Sequence, residues 1–430
     1  MLRKLFFWLN RRKAFHDLSE TEFSWVLYDV GNSAYTMLAC SLIPIWYHSL
    51  ADEQLGLNTA TANFSFATAI VTIIVALLGP VFGVIADRKD RKRFVFMMTV
   101  SSGVLMCFIN GLVSGAMLFL VVFALTKIFY QASLTFYDSM LGDITTEERM
   151  DEVSSYGFAW GYIGSCIPFL LALVAYILGP DMLNVISGTV SKIIGFSVTG
   201  LWWAIVSRPL LRNYKQLHFS GSNTGSVALV FKKLGGTLKR IFRTDKKVFF
   251  FLVAFFLYID GVGTIIDNCI NIGTALGLNS VGMVVFLLLT QLVAFGGSLM
   301  FARLSKKYST TKLLLACIVG YFCVCLYALT LKTLTGFAIL AFGVGCFQGS
   351  IQSLSRSYYT KIIPAENSGE YFGIYDVFSK GASFLGSLII GIVMSIEGGT
   401  INVAVASLAG FFALGFLFLC IADKKPSLNR

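Results

Sequence analysis

Apolar runs long enough to cross a bilayer core, about twenty residues or more, recur twelve times along this chain of 430 residues. They lie at 24–50, 61–86, 94–113, 117–141, 153–178, 188–207, 248–273, 280–302, 313–330, 334–360, 370–396 and 401–422. Inside lipid every backbone N–H and C=O must be bonded within its own segment. The pattern therefore predicts an all-α membrane protein of twelve transmembrane helices. Charged residues are only 13% of the chain, about half the share a soluble protein needs to solvate its surface. A water-soluble enzyme is excluded, and 39 Phe with 17 Tyr exclude a disordered chain.

The runs fall six and six around a connector, 208–247, that holds ten basic residues and one acid, Asp245. The expected division is a basic N-terminal segment 1–23, an N-terminal six-helix bundle 24–207, the connector 208–247, a C-terminal bundle 248–422 and a tail 423–430. Of 34 Lys and Arg, 29 sit in the termini, the connector and the loops at 87–93, 142–152, 303–312 and 361–369. The opposite loops hold only Lys332. Cytoplasmic loops carry such an excess, so both termini and the connector are expected in the cytoplasm of a multi-pass cell-membrane protein. The net charge of +11 then borders anionic membrane lipids and requires no nucleic acid. Residues Leu5–Leu9 make too short an apolar piece for a cleaved signal. The N-terminus reads instead as an interfacial basic helix, and a second amphipathic helix is expected around Val227–Ile241.

Cysteines and histidines narrow the chemistry. The nine cysteines lie in or beside apolar runs, as small buried hydrophobes do, and Cys323 and Cys325 are too close for a CxxC site. His16, His48 and His218 fall before, at the end of, or between the runs. No metal centre, cofactor or His-based dyad is expected within the membrane.

The halves echo each other. Leu27-Tyr28-Asp29-Val30-Gly31 in the first span is matched by Leu257-Tyr258-Ile259-Asp260-Gly261 in the seventh. The loop Gly83-x-x-x-Asp87-Arg88-x-x-Arg91-Lys92-Arg93 has a weaker basic counterpart from Gly297 through Arg303, Lys306 and Lys307. Parallel repeats about an axis along the membrane normal leave such traces. The Gly83–Arg93 loop resembles the signature loop of the major facilitator superfamily, except that Asp90 stands where that pattern has Gly, which predicts a looser turn. Trp25-x-x-Tyr28-Asp29-x-x-Asn32-Ser33-Ala34, Ser154-x-x-Gly157-Phe158-Ala159-x-Gly161, Gln352-Ser353-Leu354-Ser355-Arg356 and Glu370-Tyr371-Phe372-Gly373-Ile374-Tyr375-Asp376 look like the vacuole-effluxer branch of that superfamily. That branch comprises fungal autophagy-linked vacuolar amino-acid effluxers and bacterial relatives.

A charge at the bilayer centre costs at least about 2.5–3.5 kcal/mol, so ionisable residues in the spans are candidate functional groups. Helical spacing groups them into stripes: Asp29, Asn32, Ser33 and Thr36; Asp260, Thr264, Asp267, Asn268 and Asn271; Lys127, Gln131 and Asp138; Asp376 with Lys380; and Gln348, Gln352, Arg356 and Tyr359. A shared aqueous cavity between the halves would hydrate all five together. Asp29, Asn32, Lys127, Gln131, Asp260, Thr264, Asp267, Gln352 and Lys380 are the candidates for substrate binding or proton coupling. Gly157, Gly161, Gly164, Gly381 and Gly386 read as close helix-packing sites. Gly83, Asp87, Arg88, Arg91 and Asp138 form a second group. The Asp87 carboxylate is expected at the positive N-terminus of a neighbouring helix, and Arg88 and Arg91 at Asp138 or Asp143. The resemblance implies that this group gates the cytoplasmic side.

It also implies a secondary transporter of the major facilitator fold, working as a monomer by alternating access on a small-molecule substrate, amino acids foremost, in the direction of efflux. Proton coupling through a carboxylate is compatible with it. The ATP-binding signature GxxxxGK[ST] does not occur in the sequence. A drug or lipid exporter of the same fold, and a transporter-like sensor without net flux, remain alternatives. A membrane-embedded enzyme would need a clustered His or paired-carboxylate site that the spacing does not offer.

Overall fold

A computed structural model describes residues 18–180, 182–221, 227–267, 280–330, 333–396 and 400–426. Each of the twelve expected spans is met by a helix. In chain order the helices are α1 (Glu20–Cys40), α2 (Leu42–Leu55), α3 (Leu57–Ala86), α4 (Arg91–Leu112), α5 (Ala116–Ser139), α6 (Leu141–Ile144), α7 (Met150–Ile177) and α8 (Gly188–Asn213). They continue as α9 (Val227–Arg243), α10 (Lys246–Asp267), α11 (Ser280–Leu304), α12 (Thr310–Tyr327), α13 (Leu334–Ile362), α14 (Ser368–Ser395), α15 (Ile401–Ser407) and α16 (Ala409–Asp423). Among the described residues, nine helices are long and apolar enough to cross a bilayer.

Two expected spans are each built of two helices. The first breaks at Ser41, whose backbone (φ −125°, ψ −75°) leaves the helical region between α1 and α2. The last divides at Leu408 between α15 and α16. The amphipathic helix expected at Val227–Ile241 is α9, two residues longer at its C-terminal end. The expected N-terminal interfacial helix lies outside the described residues.

Local chemistry sets several helix starts. Ser19 and Glu22 form a reciprocal capping box that opens α1: the Ser19 hydroxyl accepts from the Glu22 N–H at 3.2 Å, and the Ser19 N–H donates to Glu22 Oε2 at 2.7 Å. Ser187, Thr333 and Thr400 cap α8, α13 and α15 in the same hydroxyl-to-backbone manner. Lys192, buried early in α8, donates to the carbonyl of Val113 just past the end of α4. That bond explains this intramembrane cation as a helix C-terminal cap.

The chain forms two compact units. The first comprises Met1–Val75, Lys89–Thr146 and Trp160–His218; the second comprises Ala76–Arg88, Glu147–Ala159 and Phe219–Arg430. Helices α3 and α7 therefore contribute one end to each. The first unit is centred on buried aromatics: Trp25 stacks on Tyr137 at 4.4 Å and Tyr28 meets Tyr137 at 4.7 Å. In the second, Phe255 stacks on Tyr375 at 4.0 Å and Tyr321 on Phe412 at 5.2 Å.

The sequence echo is a structural one. Tyr28 of α1 donates to the Ser133 hydroxyl of α5 at 2.6 Å, and Tyr258 of α10 shares a hydrogen bond of 2.6 Å with Ser355 of α13. Gly31 turns its bare Cα toward Ser207 of α8, and Gly261 turns its own toward the Phe412 ring of α16. The same residue types at the same register thus make the same helix crossings in both halves, as parallel repeats require.

Candidate functional site

The repeat differs at two adjacent positions, Asp29 against Ile259 and Val30 against Asp260, so that the carboxylate shifts by one residue between the halves. Aligning Tyr28 with Tyr258 puts Val30 opposite Asp260. In the first half the Val30 methyls fill the bare face of Gly164, where an added Cβ would meet Val30 Cγ1 at 2.4 Å. In the second half Thr264, with the wholly buried Asp260 beside it, fills the bare face of Gly386 on α14. The two Asp260 oxygens accept from the Gly386 N–H at 3.1 and 3.0 Å, and the Thr264 hydroxyl, one turn on, reaches Oδ1 at 3.4 Å. A Cβ on Gly386 would lie 2.1 Å from Thr264 Oγ1. The carboxylate thus meets neutral donors, a backbone N–H and a hydroxyl, in a membrane-spanning helix.

Asp29 is one residue earlier in the alignment and points elsewhere. Its Oδ2 accepts from the Tyr137 hydroxyl of α5 at 2.8 Å, and its Oδ1 from Asn32 Nδ2 at 3.3 Å. Tyr137 is itself fixed: its ring lies against Trp25 and Tyr28, and its carbonyl accepts from Trp25 Nε1 at 3.1 Å. Gly161 of α7 closes the same corner, 2.9 Å from Ser33 Oγ for an added Cβ. Further along the stripe Thr36 and Tyr130 share a hydrogen bond of 2.5 Å. The stripe of α1 is therefore engaged by two tyrosines of α5, Tyr130 at Thr36 and Tyr137 at the buried Asp29 carboxylate, the latter a charge-assisted hydrogen bond.

The remaining candidates are dispersed. Lys127 lies 5.7 Å from the centroid of the Phe123 ring, and Gln131 is half-buried, with its Oε1 unpartnered among the described residues. Asp376 and Lys380 pair at 2.9 Å across one turn of α14. Gln352 is half-buried on α13. The side chain of Asp267, at the end of α10, and residues Asn268 and Asn271 lie outside the described residues. The expected polar side of α13 splits: Tyr359 donates to the Tyr371 carbonyl at 2.9 Å, whereas Arg356 turns to the start of α7. Among the described residues no group of three His, Cys, Asp or Glu is placed to hold a metal ion.

Two clamps in the second unit hold helix starts. In the first, the fully buried Asp87 sits past the end of α3 and accepts from the N–H groups of Gly369 and Glu370, both at 2.8 Å, in the first turn of α14. Those N–H groups have no intrahelical acceptor, and the helix dipole favours an anion there. Glycine makes the approach: a Cβ on Gly83 would lie 2.1 Å from the Gly369 carbonyl oxygen, and one on Gly373 would lie 2.4 Å from Pro80 Cα. The connector joins in, since Ser220 N–H donates to the Asp87 carbonyl at 2.7 Å and Lys233 reaches Asn367 Oδ1 at 3.0 Å and Glu370 at 3.5 Å.

In the second clamp the acids are on the helix start itself. Asp151 accepts from the hydroxyls of Thr310 and Ser357, both at 2.6 Å, and pairs with Lys361 at 2.9 Å. Glu152 pairs with Lys306 at 2.8 Å. Arg356 donates to the Ser154 hydroxyl at 2.9 Å and the Ser154 carbonyl at 3.0 Å, with its guanidinium over the Phe158 ring at 4.6 Å.

Other expectations for the basic loop are corrected. Asp143 takes its partners from Lys92 (4.0 Å), the Tyr214 hydroxyl (2.6 Å) and both the backbone and ring nitrogens of His218 (3.0 and 2.8 Å), not from Arg91, which is exposed. Neighbouring positions on a helix point about 100° apart, so Lys92 faces inward where Arg91 faces out. Arg88 is half-buried, and so is Asp138 in the last turn of α5. Asp90 does not loosen the turn: it adopts φ +60°, the left-handed conformation that a glycine would take there.

The comparisons with known proteins agree with this architecture. The family model described as "Vacuole effluxer Atg22 like" matches residues 54–429. The "Uncharacterized MFS-type transporter YxiO" of Bacillus subtilis is 36% identical over 416 residues, 96% of each chain. "Autophagy-related protein 22-1" of Penicillium rubens is 26% identical over 275 residues, 56% of this chain and 44% of that protein's length. Among solved structures, the human organic anion transporter MFSD10 superposes with a TM-score of 0.71 at 13% identity, covering 93% of this chain and 98% of that one. The proton:xylose symporter XylE does so at 0.72 and 12% identity, covering 94% and 95%. At such identities these structures establish the fold alone. A family model spanning most of the chain and a full-length relative above one-third identity decide the family: the chain belongs to the vacuole-effluxer Atg22-like family, an MFS-type transporter of the major facilitator fold.

Proposed function

We propose that this protein is a secondary active transporter that moves a small polar metabolite, amino acids foremost, out of the cytoplasm across the cell membrane by alternating access, with Asp260 as its coupling carboxylate. The two halves, 24–207 and 248–422, carry one transport unit, with the termini and connector in the cytoplasm. The observation that carries the reading is the setting of Asp260. A carboxylate enclosed in a membrane-spanning helix and met by a backbone N–H and a hydroxyl changes charge state when its hydration changes. Relatives on this fold include a proton symporter, and efflux is in the family's description. The Asp87 clamp supplies the gate, because an N–H pair held by one buried acid is made in one arrangement of the helices and lost in another.

The test uses the full chain in proteoliposomes, first with counterflow of radiolabelled amino acids and then with uptake driven by a pH gradient. The expected result is exchange of at least one amino acid, with Asp260→Asn retaining exchange and losing the response to the gradient. Gradient-driven uptake unchanged in Asp260→Asn would remove the coupling role. Absence of exchange for every amino acid, with a folded monodisperse preparation, would overturn the substrate class.

A further inference from the structure

Helix α9 presents three faces, and among the described residues two of them are largely exposed, the ring contact of Phe242 with Phe249 at 5.3 Å aside. Val230, Leu234 and Ile241 are buried; Val230 and Leu234 pack against Val81 and Val84 at the end of α3. Phe231, Leu238 and Phe242, spaced i, i+7 and i+11, form an apolar stripe left 59%, 39% and 52% exposed. One position further round at each step stand Lys232, Lys239 and Arg243, all exposed. The other two cations of the helix bond to the protein instead: Lys233 reaches Asn367 and Glu370, and the part-exposed Arg240 donates to the Tyr371 hydroxyl at 2.6 Å and to Asp245 at 3.0 Å. An exposed apolar stripe beside an unbroken cationic row, on a helix whose third side is pinned to the protein, has the profile of a helix lying in a membrane interface.

We infer that α9 is a docking strap for anionic phospholipid of the leaflet it faces, and that lipid seated on it tightens the Asp87 clamp. Phe231, Leu238 and Phe242 enter the acyl layer, while Lys232, Lys239 and Arg243 meet phosphate headgroups, as the opposite charge demands. The link to the clamp is physical. The residues that fix α9 from the other side are those flanking Asp87: Val84 three residues before it, Ser220 on its carbonyl, and Lys233 on Asn367 and Glu370 at the start of α14. Anchoring the outer faces of the helix restrains its inner face, and with it the first turn of α14. The proposal takes the clamp as the gate of the proposed transport cycle, but its test depends on neither transport nor membrane orientation.

The experiment places the full chain in nanodiscs of phosphatidylcholine, with or without phosphatidylglycerol. Phe231→Trp reports insertion through quenching by brominated lipid, with the parent chain giving the background of its native tryptophans. Hydrogen exchange of the segment holding Gly369 and Glu370 reports the clamp. Expected are extra quenching in Phe231→Trp and slower exchange of that segment when phosphatidylglycerol is present. The triple variant Lys232→Gln, Lys239→Gln, Arg243→Gln should lose the lipid response and weaken phosphatidylglycerol retention roughly tenfold or more. The charge-keeping triple Lys232→Arg, Lys239→Arg, Arg243→Lys should restore both. Quenching no greater than the parent's would show the stripe covered by something other than lipid and overturn the docking. Equal lipid response in the glutamine triple, or exchange at Gly369 and Glu370 indifferent to phosphatidylglycerol in the parent, would overturn the recognition and the link respectively.

Discussion

The starts of α14 and α7 are secured in contrasting ways. At α14 one carboxylate, Asp87, takes two backbone N–H groups, and bare glycines on both helices bring the backbones together. At α7 two acids, Asp151 and Glu152, and the main chain at Ser154 are gripped by Lys361, Lys306 and Arg356, with Thr310 and Ser357 adding hydroxyl donors. The first clamp concentrates its hold in a contact that tolerates no added atom. The second spreads its hold over long side chains that can re-pair. The two should therefore fail differently, the first abruptly and the second by degrees.

The largest effect is expected at Gly83. A methyl there would sit 2.1 Å from the Gly369 carbonyl oxygen, backbone against backbone, so α3 and α14 must move apart. Overpacking of this kind costs about 1–3 kcal/mol, and the separation also strips the buried Gly369 and Glu370 N–H groups of Asp87, about 1–3 kcal/mol more. Gly83→Ala should lower the thermal unfolding midpoint of the purified protein by several degrees, and Asp87→Ala should follow it closely. A Gly83→Ala protein as stable as the parent would show that the tight crossing is not what secures α14.

Changes in the second clamp should be smaller and should share their effects. Asp151→Asn keeps an acceptor for one hydroxyl while giving up the Lys361 charge pair, so a loss of about 1–2 kcal/mol is expected. In a double-mutant cycle, Asp151→Asn with Lys361→Met should lose less than the sum of the single changes. Lys306→Gln should move the midpoint least of these, because Lys306 is half in solvent, at 53% exposure, and a pair of that kind contributes about 0–1 kcal/mol. If Lys306→Gln matched Gly83→Ala, the distinction between a concentrated and a distributed hold would collapse.

How much of this was legible in advance follows from which physics each feature uses. The spans were readable because lipid enforces apolar length, and Asp87 stood out as an acid amid cations. The breaks at Ser41 and Leu408 were not, because no apolar period changes there. Gly386 read as a packing glycine, yet its working group is a backbone N–H, which residue type cannot announce. Tyr137 is the neighbour of Asp138 on the α5 stripe, but its bond to Asp29 depends on how α1 crosses α5. The choice of Lys92 over Arg91 for Asp143 rests on helix phase, which a run of five cations in seven residues conceals. Val30 opposite Asp260 shows the same limit: the repeat is plain in sequence, but only the crossing on Gly164 and Gly386 reveals that a methyl pair meets the glycine in one half and a threonine with a carboxylate in the other.

The smallest expected effect lies in the loop between Asp87 and α4. Asp90 holds φ +60° at the position before α4, and its side chain makes no capping hydrogen bond there. A left-handed residue other than glycine costs roughly 1–2 kcal/mol, while an acid beside a helix N-terminus returns about 0.3–1 kcal/mol. Asp90→Gly should therefore leave the unfolding midpoint unchanged or raise it by a degree or two. Asp90→Val should lower it, since a branched side chain resists positive φ most strongly. The pair also sharpens the comparison of clamps. Asp87 is three residues upstream, so a backbone driven out of the left-handed region at residue 90 pulls on the carboxylate that holds Gly369 and Glu370, while the Asp151 cluster has no share in that turn. Hydrogen exchange in Asp90→Val should accordingly quicken at Gly369 and Glu370 and stay at the parent rate at the start of α7. Equal quickening at both would mean that the two clamps open as one unit.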